Sequence, residues 1–445
     1  MRAVALSAES LLTRAAQETG AGGGVSLMHG ALPLTVEVVT VAALAYSIAW
    51  RGRRWWSRRV PLIAAVGAVT GAAAHWYYGT LGLASEPPPW QMWLWAALAG
   101  SAVAVAVASW RRAGWWRRNV CVFGASFCLL SAGLTINAWL GYFPTVSAAW
   151  GQLTNGPLPD QTDLRAAYAA RSKGVAPQKG AVVPVDTGST ASGFRHRGEW
   201  LYLPPAWFTG APPRLPAVLM IGGEFNTSAD WIRAGDAVAT LDAFAAAHGG
   251  NAPLAVFADA TGGFTVDTEC VNGSRGNAAD HLIDDVIPRA AEQLGLAAQA
   301  KWGLVGFSSG GTCAVDLAVM HPDRFSAFVD IGGDIAPNAG TRAQTIDRLF
   351  GGDAAAWARF DPSTVITRHG PYSNLAGLFA VPGSVGHAAA ESLCQLGTAN
   401  GIDCAVVSLP GKHDWPSAAS AFATALPWLA GRLETPGAPP DAALP

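Results

Sequence analysis

The sequence predicts two domains of different fold class: an α-helical domain of four transmembrane helices, followed by an α/β domain whose mostly parallel sheet is covered by helices on both faces. Two observations support this division. Four apolar stretches, each near the roughly 20 residues that cross a bilayer as a helix, lie before residue 145. After residue 180, short buried-type strands alternate with helical stretches, which is typical of a mostly parallel sheet.

The apolar stretches are bounded by residues that suit a membrane interface. Twelve of the 19 Trp residues lie within residues 1 to 150, many of them at the ends of a stretch, where an amphipathic indole is stable at the headgroup level. These stretches define a transmembrane domain over residues 32 to 143, with helices predicted at Leu32 to Ala49, Val60 to Tyr78, Trp90 to Ala108 and Val120 to Leu140.

The loops between these stretches predict the orientation of the chain. The loops Arg51 to Arg59 and Arg111 to Arg118 carry nine Arg, whereas the loop Leu81 to Pro89 carries none. Because short loops rich in Arg stay on the cytoplasmic side, both arginine loops should face the cytoplasm. The chain is then a multi-pass protein of the cell membrane. Residues 1 to 31 form a short extracytoplasmic tail, and everything after Tyr142 lies on the extracytoplasmic side.

Overall charge excludes one class of partner. The net charge is −2 and the isoelectric point is near 6.5, which argues against a nucleic-acid partner, and the basic residues that do cluster are explained by membrane topology. The chain has 25 Arg and four Lys and is rich in Ala, a bias that favours a GC-rich bacterial genome.

The remainder of the chain is predicted as a linker over residues 144 to 180, an α/β domain over 181 to 432 and a disordered Pro/Ala-rich tail over 433 to 445. Two edge strands precede a series of buried strands. The predicted strands are Val182 to Val185, Trp200 to Leu203, Ala217 to Ile221, Leu254 to Phe257, Trp302 to Val305, Ala327 to Ile331, Leu375 to Ala380 and Cys404 to Leu409. The predicted helices between and after them are Ala229 to His248, Asp280 to Leu294, Gly310 to His321, Ala388 to Asn400 and Trp415 to Arg432.

Four of the six Cys lie in the predicted extracytoplasmic domain, where oxidation is allowed. A bond between Cys394 and Cys404 would join a helix to the next strand, which leaves Cys270 to pair with Cys313; free buried thiols are the alternative. No Cys or His spacing resembles a zinc site, and the sequence predicts no metal and no organic cofactor.

One short motif indicates nucleophilic chemistry. Gly306-Phe307-Ser308-Ser309-Gly310 follows an apolar strand and opens a helix. A serine raised on such a tight strand-to-helix turn needs small neighbours, and Gly306 and Gly310 meet that need. The motif therefore predicts a nucleophile elbow with Ser308 as the nucleophile.

Together with four other segments, this motif resembles the α/β-hydrolase family, in particular the esterase D branch that includes S-formylglutathione hydrolases and mycolyltransferases. The resemblance covers about residues 180 to 432 and is carried by Arg197 to Trp207, Val218 to Gly223, the elbow, His321 to Phe325 and Pro410 to Trp415. It implies a serine hydrolase with His413, in the loop after the last strand, as the catalytic base. The backbone N–H of Ser309 and that of Glu224 or Phe225 would form the oxyanion hole.

The acid of the implied triad departs from the family pattern. Relatives carry an Asp about 29 residues before the catalytic His, and the equivalent position here is Ser384. Asp334, which follows the strand Ala327 to Ile331, and Glu391, on the next helix, are two substitutes. We favour Asp334, because the end of its strand can reach the His413 loop; a turn or cap role for Asp334 is the alternative.

These features predict a membrane-anchored serine esterase whose catalytic domain faces the cell envelope. Its substrate would be a carboxylic ester near the membrane, such as a lipid, an acylated sugar or an aminoacyl-lipid, cleaved through an acyl-enzyme. Two alternatives are an acyltransferase of the mycolyltransferase type and a non-catalytic envelope scaffold. Labelling of Ser308 by a fluorophosphonate would separate an enzyme from a scaffold.

Overall fold

The computed structural model describes residues 24–49, 52–81, 88–110, 113–154, 156–296, 302–383 and 386–440. The chain divides into two compact units, Met1–Gly156 and Pro157–Pro445. The first unit is helical and the second is an α/β domain, as the sequence predicts.

Four long helices form the first unit: α1 Ala31–Ala49, α2 Arg53–Leu81, α3 Trp90–Ser109 and α4 Trp115–Leu140. All four are long and apolar enough to cross a membrane, judged by length and composition. Small residues bring helices α2 and α3 together, since a Cβ added at Gly67 would lie 2.1 Å from Ser101 Oγ, and one added at Gly100 would lie 2.3 Å from Thr70 Oγ1. Close backbone approach of this kind is typical of helices that pack within a bilayer.

Helices α2 and α4 begin earlier than the apolar stretches predict. The exposed Arg53, Arg54, Arg58 and Arg59 belong to the start of α2 rather than to a loop, because Arg is a good helix former and helical hydrogen bonding continues past the apolar segment. The parts of the predicted tail and loops at 1–23, Arg51, 82–87, Arg111 and Arg112 lie outside the described residues.

An eight-stranded sheet forms the centre of the second unit, with strand order β1-β2-β4-β3-β7-β8-β9-β10. Strands β1 and β2 pair antiparallel, β2 pairs antiparallel with β4, and all later neighbours are parallel. The strands are β1 Ala181–Val185, β2 Glu199–Leu203, β3 Ala217–Ile221, β4 Leu254–Ala258, β7 Trp302–Phe307, β8 Phe325–Ile331, β9 Ala376–Pro382 and β10 Asp403–Leu409, and β5 Asn272–Gly273 with β6 Gly276–Asn277 form a separate short hairpin.

Helices cover this sheet because its central strands are apolar on both sides. Every residue of β3, β4, β7 and β9 is buried. The helices of this unit are α6 Leu164–Ser172, α7 Asp230–Arg233, α8 Ala237–Ala247, α9 Ala278–Asp280, a π-helical segment His281–Val286, α10 Ile287–Leu294, α11 Ser309–Met320, α12 Arg342–Phe350, α13 Ala354–Trp357, α14 Pro362–His369, α15 His387–Ala399 and α16 Trp415–Arg432. The architecture confirms the predicted fold class, an α/β-hydrolase domain after four long helices.

The predicted linker contains two helices, one in each unit. Helix α5, Val146–Leu153, belongs to the first unit and α6 to the second. In α6, Ala167 is 1% exposed, and the Arg171 guanidinium lies 4.4 Å from the centre of the Trp207 ring. The segment from residue 157 onward therefore packs on the α/β domain instead of serving only as a tether.

The first residues of the tail that is predicted to be disordered are folded against the domain in the structure. Leu433 and Thr435 are 8% and 2% exposed, because the chain after α16 folds back through a turn closed by Ala438 N–H donating to Thr435 O. Residues 441–445 of that tail lie outside the described residues.

Two predicted helices are interrupted. The stretch Ala229 to His248 forms α7 and α8 with a break between them, where Asp236 adopts a φ of 48° and Gly235 lies against the Trp231 and Trp415 rings. The stretch Asp280 to Leu294 includes the π-helical segment His281–Val286. The structure contains both disulfide pairs that the sequence suggests, Cys270–Cys313 and Cys394–Cys404.

Candidate active site

Ser308 lies at the sharp turn between β7 and α11. It is not a glycine, yet its φ is 58° and its ψ is −128°, a strained backbone that raises the side chain above the sheet. A Cβ at Gly306 would lie 1.7 Å from Gly310 O, and a Cβ at Gly310 would lie 2.4 Å from Ile221 O. The two flanking glycines are therefore sterically required, as the elbow motif predicts.

His413 reaches Ser308 from the loop between β10 and α16. Its Nε2 lies 2.9 Å from Ser308 Oγ, within hydrogen-bond distance. The loop is held at its end, because Asp414 caps α16 by accepting a hydrogen bond from Ser417 N–H at 2.9 Å, and Trp415 is 2% exposed. The His413 ring also packs against Phe307, 5.0 Å between ring centres. The structure thus brings together two residues that are 105 positions apart.

The loop after β3 lies directly against the nucleophile. A Cβ at Gly223 would be 2.9 Å from Ser308 Cβ, so only glycine permits this approach. The next residues are Glu224 and Phe225, and Phe225 adopts a φ of 65°. Ser309 opens α11, and the first N–H groups of a helix have no partner within the helix. This geometry places the predicted oxyanion donors on the two segments that flank Ser308.

Burial raises the pKa of Glu224 in this loop and of Glu269 on a later segment. Burial first, and the nearby Asp267 carboxylate second, raise the pKa of Glu224 from 4.5 to about 8, although Arg275 opposes the shift. Burial and Asp267 also raise the pKa of Glu269 well above its ordinary value. Asp267 itself pairs with Arg275 at 3.0 Å. Glu224 is therefore mostly protonated at neutral pH and adds little negative charge to the loop beside Ser308.

The turn that carries Asp334 passes beside the far side of the His413 ring. A Cβ at Gly332 would lie 3.1 Å from His413 Nδ1. The Asp334 carboxylate accepts a hydrogen bond from Asn338 Nδ2 at 3.0 Å, and the Asp334 N–H donates to Thr312 Oγ1 at 2.8 Å.

Glu391, the other candidate acid, pairs with a different histidine. Its carboxylate lies 3.2 Å from His387 Nε2 on the surface of α15, and its side chain is 54% exposed. Ser384, the position at which relatives carry their acid, lies outside the described residues.

Two residues that the sequence analysis did not single out shape the site. Asp330, fully buried in β8, accepts a hydrogen bond from Gly333 N–H at 2.7 Å and so fixes the turn beside His413. Burial raises the pKa of Asp330 to about 7. Arg197 binds Asp259 through two hydrogen bonds of 2.9 and 2.6 Å and also donates to Asn226 O, which anchors the loop after β3. The signal in the sequence that could have indicated Asp330 is a carboxylate within an otherwise apolar strand.

A group of possible metal ligands lies elsewhere at the same edge of the sheet. His196, Glu199 and His281 each offer one donor atom, and these atoms all lie within 4.8 Å of one another. They flank the start of β2. In the sheet, β2 lies three strand positions from β7, the strand that precedes Ser308, and at the usual strand spacing this separates the two strands by roughly 14 Å.

Part of the chain matches a known protein family. The family model described as "Putative esterase" matches residues 145–376, just over half of the chain. The chain belongs to this esterase family. The matched segment includes Ser308 and ends before His413.

This esterase-family chain is similar to proteins of two bacterial species. An uncharacterized protein of Corynebacterium glutamicum is 29% identical over 367 residues, which span 78% of this chain and 83% of that protein. The MPT51 antigen of Mycobacterium leprae is 30% identical over 140 residues, 31% of this chain and 42% of that protein. Among solved structures, an S-formylglutathione hydrolase from Agrobacterium tumefaciens is similar with a TM-score of 0.46 and 17% identity, over 58% of this chain and 97% of that chain.

Proposed function

We propose that this esterase-family chain is a membrane-anchored serine esterase that cleaves a carboxylic ester through an acyl-enzyme on Ser308. The observation that carries the proposal is the 2.9 Å contact between Ser308 Oγ and His413 Nε2 at a positive-φ elbow. A strained serine hydrogen-bonded to a histidine is the arrangement that nucleophilic acyl transfer requires.

The proposed reaction has two halves. Ser308 Oγ attacks the ester carbonyl carbon while His413 Nε2 accepts the hydroxyl proton, and the negative oxygen is stabilised by N–H groups of Ser309 and of Glu224 or Phe225. His413 then gives the proton to the leaving alcohol, which leaves an acyl group on Ser308. Water, deprotonated by His413, attacks the carbonyl carbon of this acyl-enzyme; the bond to Ser308 Oγ breaks, His413 returns the proton to that oxygen, and the acid is released.

Asp334 is proposed as the residue that orients His413. Its turn passes beside the Nδ1 edge of the imidazole, where a triad acid is needed to fix the tautomer and to stabilise the charged ring. The alternative, Glu391, is already paired with His387 at 3.2 Å. That pairing supports the choice of Asp334.

The substrate is proposed to be an apolar ester of the cell envelope, such as a lipid, an acylated sugar or an aminoacyl-lipid. Phe225, in the loop after β3, contacts Phe264 with 5.4 Å between ring centres, and Phe264 is 68% exposed. Exposed aromatic surface beside the site suits an acyl chain. The four apolar helices would hold the domain at the membrane, and the two disulfides suit an oxidising, extracytoplasmic compartment.

A fluorophosphonate probe tests this proposal on the full-length protein in detergent. We expect stoichiometric labelling that is lost in Ser308→Ala and retained in Ser309→Ala, a matched control that keeps the neighbouring backbone N–H. Ester hydrolysis should follow the same pattern. Folded protein that is not labelled would support a scaffold role, and transfer of the acyl group to an added alcohol in preference to water would identify an acyltransferase.

A further inference from the structure

Three polar side chains meet in a buried cluster at the start of β2. Glu199 Oε1 lies 2.9 Å from His196 Nδ1 and 3.2 Å from His281 Nε2. Glu199 and His281 are 1% and 0% exposed, while the His196 side chain is 16% exposed. The second oxygen of Glu199 accepts a hydrogen bond from Thr187 Oγ1 at 2.6 Å. One carboxylate oxygen and two imidazole nitrogens therefore lie within 4.8 Å of one another, and only the His196 side of this group is partly exposed.

His281 lies between two carboxylates. Its Nε2 faces Glu199, and its Nδ1 lies 3.5 Å from Asp285 Oδ2. Nδ1 is buried, and its 3.5 Å contact with Asp285 is longer than an ordinary hydrogen bond. A neutral imidazole has a single N–H and can serve only one of these carboxylates. The other nitrogen then presents its lone pair to a carboxylate, which is unfavourable unless a second ring proton or a metal cation lies between them.

Asp285 is fixed in the position of a supporting residue. Its two oxygens accept hydrogen bonds from Ala191 N–H at 2.9 Å, Ser192 N–H at 3.1 Å and Ser192 Oγ at 2.6 Å. These donors orient the carboxylate toward His281 Nδ1. Histidines that bind a metal through one ring nitrogen commonly donate the other N–H to a carboxylate placed in this way.

The backbone around His281 is unusual in the same place. Residues His281–Val286 are π-helical, and π-helical turns inside α-helices are frequently found at functional sites. The turn places His281 toward Glu199 and leaves Asp285, four positions later, on the same side. The cluster thus combines a buried ligand set, a positioned carboxylate and a local departure from α-helical geometry.

We propose that His196, Glu199 and His281 bind a divalent transition metal ion of the zinc class. Two imidazole nitrogens and one carboxylate oxygen suit Zn²⁺, whereas Ca²⁺ and Mg²⁺ prefer oxygen ligands alone. The ion balances the charge of Glu199 and Asp285 in a buried setting. The partly exposed side of His196 leaves the fourth position to water. The site is separate from Ser308, and it ties β2 to the segment that follows the β5-β6 hairpin.

Zinc binding is measured on the full-length protein in detergent after treatment with a chelator and removal of the chelator. Competition with a chromophoric chelator, together with elemental analysis, should give one tightly bound zinc ion per folded chain. His196→Gln should weaken binding at least about tenfold, as loss of a ligand or its support typically does. His387→Gln is the matched control, because His387 also pairs with a carboxylate but has no third donor. It should leave affinity unchanged.

Cobalt gives an independent readout of the ligand set. Co²⁺ bound by His, His and Glu should produce visible absorption bands of a four-coordinate ion, and these should be lost in His196→Gln and in Glu199→Gln. Circular dichroism verifies the fold of each variant; if Glu199→Gln does not fold, the partly exposed His196→Gln decides alone. Folded wild-type protein that retains no zinc, or zinc content that is equal in wild type and His196→Gln, would overturn the proposal. These readouts do not depend on esterase activity.

Discussion

At the residue scale, Glu224 connects burial to the chemistry proposed for Ser308. Its pKa of about 8 keeps the carboxyl mostly neutral near pH 7, within the loop that would bind an oxyanion. We expect kcat/KM for ester hydrolysis to fall as the pH rises through about 8, because ionised Glu224 would repel the developing negative charge. In Glu224→Gln the side chain stays neutral, so activity should persist to pH 9. Parallel pH profiles in wild type and variant would exclude this role.

The same carboxyl also links stability to pH. Its folded pKa of about 8 lies above the ordinary value of 4.5, so between these values the folded chain holds a proton that the unfolded chain has released. The stability that Glu224 contributes is present in full below about 4.5 and is lost as the pH rises through about 8. Thermal melts at pH 5 and pH 9 should therefore differ less in Glu224→Gln than in wild type. An unchanged difference would contradict the raised pKa.

The choice of triad acid makes a second residue-scale prediction. If Asp334 orients His413, Asp334→Asn keeps the shape but favours the wrong imidazole tautomer, and turnover should fall by about 10⁴-fold. Glu391→Gln is the matched control and should be nearly silent, since Glu391 pairs with His387 on the surface. Steady-state hydrolysis by both variants decides between the two acids. Full activity in Asp334→Asn together with loss in Glu391→Gln would reverse the assignment.

The site residues that could be predicted from the sequence are those that lie in local motifs. Ser308 was predicted from five consecutive residues and His413 from its place after the last strand, and the structure brings the two together at 2.9 Å. Asp330 and the metal-ligand cluster depend on the fold instead. His281 meets Glu199 across 82 positions of sequence, so no short spacing could reveal the pair. The proposed metal site therefore departs from the expectation of no metal.

At the element scale, the two disulfides differ in the length of chain that they close. Cys270–Cys313 spans 43 positions and joins the segment after β4 to α11, whereas Cys394–Cys404 spans 10. Loop-closure entropy predicts a stabilisation of about 4 kcal/mol for the first and about 3 kcal/mol for the second. Denaturant unfolding of Cys270→Ala/Cys313→Ala should therefore show a larger loss than that of Cys394→Ala/Cys404→Ala.

A thiol titration of the denatured, unreduced chain checks the pairing itself. It should detect two free thiols, those of Cys121 and Cys128, which are unpaired in the structure. Detection of more than two free thiols, or a greater loss of stability in the Cys394→Ala/Cys404→Ala variant, would contradict this account.

Elements with strong apolar patterns were predicted well, and those set by tertiary contacts were not. Helix α16 matches its predicted bounds, Trp415–Arg432. The break between α7 and α8 depends on the Trp231 and Trp415 rings, which meet at 5.3 Å and crowd the chain at Gly235. Helices α12 to α14 were not predicted because they are short; each begins at a capping side chain, namely Thr341, Asp353 or Asp361.

At the scale of the whole molecule, composition separated the two units because long apolar helices and an α/β core have different sequence patterns. The exposed residues of α1 to α4 are largely apolar, as lipid-facing helices require, whereas the second unit buries its apolar strands under amphipathic helices. The boundary between the units was harder to predict, because α6 is polar in sequence and still packs on the second unit through Ala167. Orientation in the membrane remains a prediction from the arginine loops.

Cysteine accessibility on intact cells tests that orientation. In a background with Cys121→Ala and Cys128→Ala, Ser57→Cys places a thiol among the arginines at the start of α2, and Ser420→Cys places one on an exposed position of α16. A membrane-impermeant maleimide should label Ser420→Cys on intact cells and Ser57→Cys only after permeabilisation, because the positive loops stay in the cytoplasm. The paired cysteines do not react and need no replacement. Labelling of Ser57→Cys from outside would refute the topology and, with it, the extracytoplasmic placement of Ser308.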